Sequence, residues 1–471
     1  IKRSKHFSLK STEEINIRTK LSILAIGLLS FLGILIETSM NVTFPTLMQQ
    51  MNVSLNTVQW LTTGYLLLVT IVMATTAYLL KRINVKKVFL FAVAINIAGS
   101  FLCAMAPDFL ILLIGRLFQS ASTGLATPTL FYIIFRTIPM QKLGQYNGFA
   151  AMLISLAPAL GPTYGGILNN YFSWRIIFWI IIPILFIVLW IGSRNISLET
   201  KKEDLSFDFI GLFLLALILI GLEFTLTQFS KYGLDYRFQF SLFSTLVILF
   251  VYLVYDHFSS RHLFDFSILK PIVNLRLFNY FSLQAINIGL SFLIPIFAEN
   301  FLKTNSLLAG LILLPGSLLG AATAPIAGSW YDKVGAKFPL ILSNSLIVFG
   351  AFLLWIFTDH LTIWLIMFFY LILRLGFNLG FGNTMSDASK YVDNKKRADQ
   401  SSLFNMAQQY AGSIGTAVMS AMIAFQSIIF SNISSSKATL IGGRLDFAIL
   451  FILAILSLSL TIFCQHLIKK K

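Results

Sequence analysis

A chain of 471 residues that is 57% hydrophobic and 11% charged does not have the composition of a soluble domain, in which charged residues approach about 25%. The excess of 35 Lys and Arg over 19 Asp and Glu gives a formal charge of +16, but with a mean hydropathy of +0.81 that charge borders apolar segments and calls for no nucleic-acid partner. Two cysteines far apart in apolar stretches, Cys103 and Cys464, exclude a disulfide framework and a cysteine metal site.

Residues 1–20 read as a basic polar tail rather than a cleavable signal. Fourteen apolar segments follow, each near the roughly 20 residues needed to cross a bilayer. They are 21–45, 58–80, 88–106, 109–135, 144–168, 176–193, 208–229, 239–258, 279–302, 306–328, 338–357, 361–385, 400–430 and 447–466. Backbone groups in lipid must pair internally, so the spans are helices unless they alternate like barrel strands. They do not: IIFWIIIPILFIVLWIG at 176–192 has no period of two. Loop residues fill the short breaks, as in APD at 106–108, NNYFSWR at 169–175, KYGLDYR at 231–237 and TDH at 358–360.

With the N-terminus placed on the cytoplasmic side, 27 of the 35 Lys and Arg fall in cytoplasmic segments and 6 in external ones, while Arg116 and Arg374 lie within spans. This asymmetry predicts cytoplasmic N- and C-termini. The basic ends IKRSKHFSLK and IKKK are expected to touch anionic lipid.

The two ends of the chain repeat each other. NVTFPTLMQQ at 41–50 matches SFLIPIFAEN at 291–300, and LLKRINVKK at 79–87 matches WYDKVGAKF at 330–338. GRLFQSASTG at 115–124 matches LRLGFNLGFG at 373–382, setting Arg374 against Arg116, and LGP at 160–162 falls near IGT at 414–416. Four matches in order at offsets of 250 to 258 predict two six-helix halves, 21–193 and 279–466. Residues 194–260 are then an inserted pair (spans 7 and 8), 261–278 a cytoplasmic linker and 467–471 a tail. Binding sites in such folds lie at the midplane between the halves.

From residue 20 to about 465 the chain resembles the major facilitator superfamily, and within it the fourteen-span drug:proton antiporters. The most specific stretch is PALGPTYGGILNNYFSWRIIFWIIIPI at 158–184, with the Gly-Pro-x-x-Gly-Gly signature at Gly161, Pro162, Gly165 and Gly166. Also similar are ETSMNVTFP at 37–45, VQWLTTGYLL at 58–67, GRLFQ at 115–119, NMAQQYAGSIGTAV at 405–418 and AGLILLPGSLLGAATAPIAGSWYDKVGAK at 309–337. The resemblance implies an all-α membrane protein in the major facilitator fold, and a proton-coupled exporter of lipophilic or cationic drugs. It also implies that span 5 packs on span 10 through the Gly-Pro cluster, sealing one side of the membrane while the other opens. Three positions depart from the family pattern. In the loop after span 2, AYLLKRINV, Lys81 replaces the usual Asp and Asn84 the second Gly, whereas the second-half copy keeps Gly328, Asp332, Lys333 and Gly335. The acid of span 1 is Glu37 where the group has Asp.

A charge near mid-membrane costs about 3 kcal/mol on insertion scales, so Glu37 must face a cavity or a partner. Arg116 is the candidate cation, and such a pair can be tuned to exchange protons near neutral pH. Family analogy agrees, since spans 1 and 4 pack together. A carboxyl merely satisfied by neighbouring helices is the structural alternative. Asn41, one turn from Glu37, is placed to orient the carboxyl or meet substrate. Glu299, Glu223 and Arg374 are second candidates for coupling or substrate contact, each with a structural alternative. Asp387, at the end of span 12, reads as solvated. Tyr65, Phe118 and Phe377 are candidate aromatic walls for flat cations, with Asn287, Asn378, Gln408 and Gln409 as polar cavity residues.

No G-x-x-x-x-G-K-[ST] stretch occurs, so an ion gradient is the expected energy source, with no cofactor and no metal. The expected partners are lipophilic small molecules, protons and membrane lipids, and the expected state is a monomer. A dedicated exporter of one lipid, peptide antibiotic or metabolite is the alternative on the same scaffold. A membrane enzyme would need clustered acids or histidines, and the five His are dispersed.

Overall fold

The computed structural model describes residues 15–53, 55–58, 60–198, 207–259, 261–262, 265–304, 306–429 and 434–469. Among them are fourteen helices of 20 residues or more and no strand. In chain order these are α1 (Ile17–Ser39), α2 (Trp60–Arg82), α3 (Val85–Ala104), α4 (Phe109–Thr137), α5 (Leu143–Tyr171), α6 (Ile176–Asn195) and α7 (Phe209–Tyr232). There follow α8 (Tyr236–Phe258), α9 (Pro271–Asn300), α10 (Leu314–Val334), α11 (Lys337–Ile356), α12 (Ile363–Ser389), α13 (Arg397–Ile429) and α14 (Ser435–Lys469). Thirteen carry an apolar window long enough to cross a membrane; the exception is α13, whose sequence RADQSSLFNMAQQYAGSIGTAV is the most polar of the set.

Side-chain oxygens stop the chain where the spans begin. Asn84 accepts from Lys86 N at 2.8 Å, Asp108 from Ile111 N at 2.9 Å and Asp208 from Gly211 N at 2.8 Å, each covering an amide that the first turn leaves open. At the other ends of α7 and α10 the chain turns through Gly233 (φ 65°) and Gly335 (φ 79°), backbone that a side chain would strain.

Boundaries differ from the sequence expectation where a proline or a polar first turn intervenes. The first span stops at Ser39, and a short helix, Phe44–Met51, restarts with Pro45 in its first turn. The tenth is split into Ser306–Leu311 and α10, whose first turn holds Pro315. α9 begins at Pro271 and α14 at Ser435, well before 279 and 447, because their first turns are too polar to register as apolar.

Packing repeats with the chain. α1 lies against α4, α5 and α6, while α4 also packs on α2 and α3, and α3 on α6. Shifted by eight helices, α9 lies against α12, α13 and α14, while α12 packs on α10 and α11, and α11 on α14. The two sets meet through α5 with α10 and α12, and through α13 with α2 and α4. α7 rests in the outer groove between α2 and α13, and α8 packs on α7. The pair is mostly unburied, with Phe213, Phe240, Phe243 and Phe250 all 64% exposed or more, as helices facing lipid are. The face that bears the loops after α2, α4, α10 and α12 carries Lys81, Lys87, Lys142, Lys337 and Lys396 and is called the basic face below.

Candidate functional site

Glu37 lies in the last turn of α1, where Ser39 ends the helix. Its side chain is half-buried and makes no hydrogen bond, and no ion pair within 4 Å, among the described residues. The cation acting on it is Arg116 of α4. Arg116 is fully buried, with its guanidinium 4.3 Å from the centre of the Tyr65 ring and its Nη1 donating to Gln119 Oε1 at 3.1 Å. Its Nε and Nη2 have no partner among the described residues. A polar chain runs on through the helix pair: Gln119 Nε2 donates to Ser100 Oγ (3.0 Å), Ser100 to Asn96 Oδ1 (3.3 Å) and Asn96 Nδ2 to Ser122 Oγ (3.2 Å). Tyr65 is fixed by its hydroxyl, which donates to Gly33 O at 3.0 Å and pairs with Thr123 Oγ1 at 2.7 Å. Gly33 is required there, since a Cβ would collide with Thr123. α1, α2 and α4 thus hold an acid, a phenol ring and a guanidinium together without closing the acid into an ion pair.

The second half holds a smaller polar centre. Arg374 of α12 donates through Nη1 to Asn287 Oδ1 and through Nη2 to Ser155 O of α5 at 3.3 Å, and lies 5.1 Å from the Phe377 ring centre. Asn378 Nδ2 donates to Arg374 O (3.0 Å) and its Oδ1 accepts from Ser155 Oγ (3.0 Å), so this group also ties the two halves. Asn287, Tyr370, Arg374 and Phe377 line a cavity of about 10 Å³, room for about one water. Gln408 accepts from Tyr280 Oη at 3.0 Å. Gln409 faces the other way, into the groove beside α7 with Glu223.

The halves are locked at the basic face. Asp332 accepts from Gly144 N (2.7 Å) and Gln145 N (2.9 Å), capping the start of α5 across the seam. Gly328 faces Gly144 so closely that a Cβ on either would strike the other's carbonyl. Lys333 is exposed beside this contact, and Gly335 ends the helix. On the symmetric side Lys81 pairs with Asp399 in the first turn of α13 at 2.5 Å. Arg397 donates to Phe135 O, Ser401 Oγ to Pro128 O at 2.6 Å and Asn147 Nδ2 to Ser386 Oγ at 2.8 Å.

Several expected placements differ. Gly161 and Gly165 of the Gly-Pro cluster pack against Thr38 and Ser39 of α1, not against α10, and Gly166 has open space where a Cβ would point. α5 meets α10 at Gly144 and Gly148, nearer the basic face. Pro162 is exposed. Phe118 is 43% exposed, with its Cβ beside Gly99 of α3, because α4 turns that side outward. Glu299 is exposed at the end of α9. The side chain of Asn41 lies outside the described residues. Asp387 is buried rather than solvated: Arg276 Nε donates to its Oδ2 at 2.8 Å and Tyr331 Oη to its Oδ1 at 3.1 Å. Arg276, which falls within the expected linker, is not singled out by the sequence. Nor is Asp446, buried in α14 with neither carboxyl oxygen hydrogen-bonded among the described residues, because it lies one residue before the expected span.

A family model described as Major Facilitator Superfamily matches residues 26–416. The chain is similar to "Lincomycin resistance protein LmrB" of Listeria monocytogenes, 31% identical over 405 residues that cover 82% of this chain and 83% of that one. It is also similar to the "Multidrug resistance protein B homolog" of Mycobacterium tuberculosis, 26% identical over 78% of this chain and 69% of that one, and to "Riboflavin transporter RibZ" of Clostridioides difficile, 25% identical over 94% and 96%. Among solved structures, the proton:xylose symporter XylE matches with a TM-score of 0.63 at 14% identity, over 93% of this chain and 95% of that one.

Proposed function

The chain belongs to the Major Facilitator Superfamily, and on that premise we propose that it is a proton-coupled exporter of lipophilic and cationic drugs in a cell membrane. The carrying observation is Glu37, a half-buried carboxylate inside the bundle with no hydrogen bond and no ion pair among the described residues, under the field of Arg116. A carboxylate left so exposed to low dielectric must take a proton or meet an incoming cation, and an antiporter needs those two states to alternate. Proton entry discharges the acid and releases the substrate; proton loss restores a negative site. The relatives named for lincomycin and multidrug resistance support a drug as substrate. The absence of a nucleotide-binding motif supports a gradient as energy source, since a proton falling through roughly 150 mV delivers about 3.5 kcal/mol. The Lys and Arg bias supports cytoplasmic termini at the basic face. The protein works as a monomer embedded in lipid.

A second reading, export of one endogenous compound, draws support from the likeness to a riboflavin transporter. A panel of antibiotics and dyes in an efflux-deficient host separates the two: the first reading expects protection against several unrelated compounds. Glu37→Gln is expected to abolish uphill transport while retaining substrate binding, and Glu37→Asp to keep partial activity. Uphill transport by Glu37→Gln at the wild-type rate would remove Glu37 from the coupling step.

A further inference from the structure

Glu223 of α7 is an intramembrane carboxylate that the cycle above leaves unused. Its neighbours Ile220 and Phe224 are 45% and 55% exposed on the outer side of the helix. Glu223 itself reaches inward, where Ser413 Oγ of α13 donates to its Oε2 at 2.5 Å. No cation of the protein lies within 4 Å of it among the described residues. One hydroxyl leaves most of the acceptor capacity of a carboxylate unused, and an uncompensated charge in a membrane is costly unless it meets water or a cation.

Beside it is a cavity of about 40 Å³ lined by Leu66, Leu67 and Thr70 of α2 and by Gln409 and Ser413 of α13. α2 and α13 belong to opposite halves, so the cavity lies in the seam, and α7 covers it from the outside. Tyr410 Oη pins that cover by donating to Leu219 O at 2.5 Å. The cavity has the volume of a cationic head, not of a whole drug, and its leucines suit the apolar carbon next to such a head. Tyr65, which precedes Leu66 on α2, points the other way, onto Arg116. One helix, about 10 Å thick, therefore separates the seam carboxylate from the Glu37 cluster.

We propose that this seam cavity is an entry subsite, in which Glu223 holds the cationic head of a lipophilic substrate arriving from the bilayer before the substrate passes α2 toward Glu37. The proposal rests on the exporter reading of the chain. It assigns a role to the inserted helices: α7 brings a carboxylate to a cavity whose lining from α2 and α13 has none, since the acid those two helices share, Asp399, is paired with Lys81 at the basic face. A clasp that only fastens α7 to Ser413 is the competing account, and it needs an acceptor but no charge.

The test uses the full chain in nanodiscs, with ethidium as cationic probe and chloramphenicol as neutral probe, each titrated for binding. Glu223→Gln keeps the size and the acceptor for Ser413, and is expected to weaken ethidium at least tenfold and chloramphenicol less than twofold. Ser413→Ala, which keeps the charge, should change ethidium affinity less than threefold. Thr70→Leu fills the cavity without touching the acid and should also weaken ethidium at least fivefold, so the proposal survives a poorly folding Glu223 variant. Ethidium affinity unchanged in Glu223→Gln, or an equal loss for both probes, overturns the subsite in favour of the clasp. The exporter reading is judged separately by ethidium accumulation in energised inverted vesicles. Binding that depends on Glu223 without accumulation keeps the subsite and sinks the exporter. Accumulation with Glu223-independent binding does the reverse, and a wild type that neither binds nor accumulates ethidium sinks both.

Discussion

A buried guanidinium needs a partner, and Arg276 finds Asp387 one helix away, with Tyr331 on the other carboxyl oxygen. Both charges are nearly inaccessible, at 0% and 3% side-chain exposure, so removing one strands the other. Asp387→Asn is therefore expected to cost about 3–5 kcal/mol, read as a lower unfolding temperature of the detergent-solubilised protein. A melting temperature within a degree of wild type would contradict that burial. The linker pair behaves differently. Lys396 donates to Asp265 at 2.8 Å while both are about a third exposed. Partial burial opposes ionisation of Asp265, but the hydrogen bonds from Lys396 and Ser267 outweigh it and hold its carboxyl at about 2, below the ordinary 3.8. A depressed acid contributes stability that is complete above about 4 and disappears as the pH falls through about 2. Lys396→Met should thus lower stability by no more than about 1 kcal/mol, because solvent screens the pair. The difference should be constant from pH 5 to 8 and close between pH 4 and 2. A gap that widened as the pH fell would reverse the sign of the argument.

At the scale of elements, the two gate loops solve one problem with opposite charges. Asp332 caps the start of α5, where the helix dipole favours an acid. In the symmetric loop the family's acid is replaced by Lys81, and the compensating acid, Asp399, has moved into the first turn of α13. Sequence reading could see that Lys81 broke the pattern but not that Asp399 repaired it, because the two are 318 positions apart. Lys81→Ala should leave Asp399 buried and unpaired and weaken the closed basic face by about 1.5–3 kcal/mol, shifting the balance between open states by roughly ten- to hundredfold. The exchanged double variant Lys81→Asp, Asp399→Lys should recover most of the transport lost by either single variant. If the singles transport normally, the pair is ornamental. Other features show the same divide between local and remote signals. Spans, caps and terminating glycines are local and could be read from residues such as Asp108 and Gly335. The Gly-Pro cluster was legible as a close contact, but its partner was not: whether Gly161 meets α1 or α10 depends on the rotation of α5. Glu37 could be singled out because an acid in an apolar run is conspicuous by itself, whereas Asp446 hid in a first stretch of α14 too polar to be counted as membrane.

The molecule as a whole is two copies of one six-helix packing scheme, and the contacts between the copies are not spread evenly along their length. Fourteen segments and four matched stretches were enough to anticipate two halves, and the shift-by-eight packing is what such a duplication produces. What no stretch of sequence records is which face is shut. The bonds of Lys81, Asn147, Asp332, Arg397 and Ser401 that join the halves cluster toward the basic face, and those of Ser155 and Arg374 stand nearer the middle. For an exporter with its basic face in the cytoplasm, this is the state that has delivered its substrate outward, and the cycle requires these bonds to break before the next substrate enters. A bridge across that seam should therefore stop transport, and the side from which it forms should report orientation. With Lys81→Cys and Asp399→Cys in place, a membrane-impermeant bifunctional thiol reagent should cross-link the halves in inside-out vesicles and leave right-side-out vesicles untouched, since Lys81 retains 16% exposure at the basic face. The native cysteines are buried and should not compete. The bridged protein should lose at least tenfold in transport rate and regain it on reduction. Cross-linking from the external side would overturn the orientation drawn from the 27-to-6 division of Lys and Arg, and a bridged protein that transports at its unbridged rate would mean that the halves do not part at this face at all.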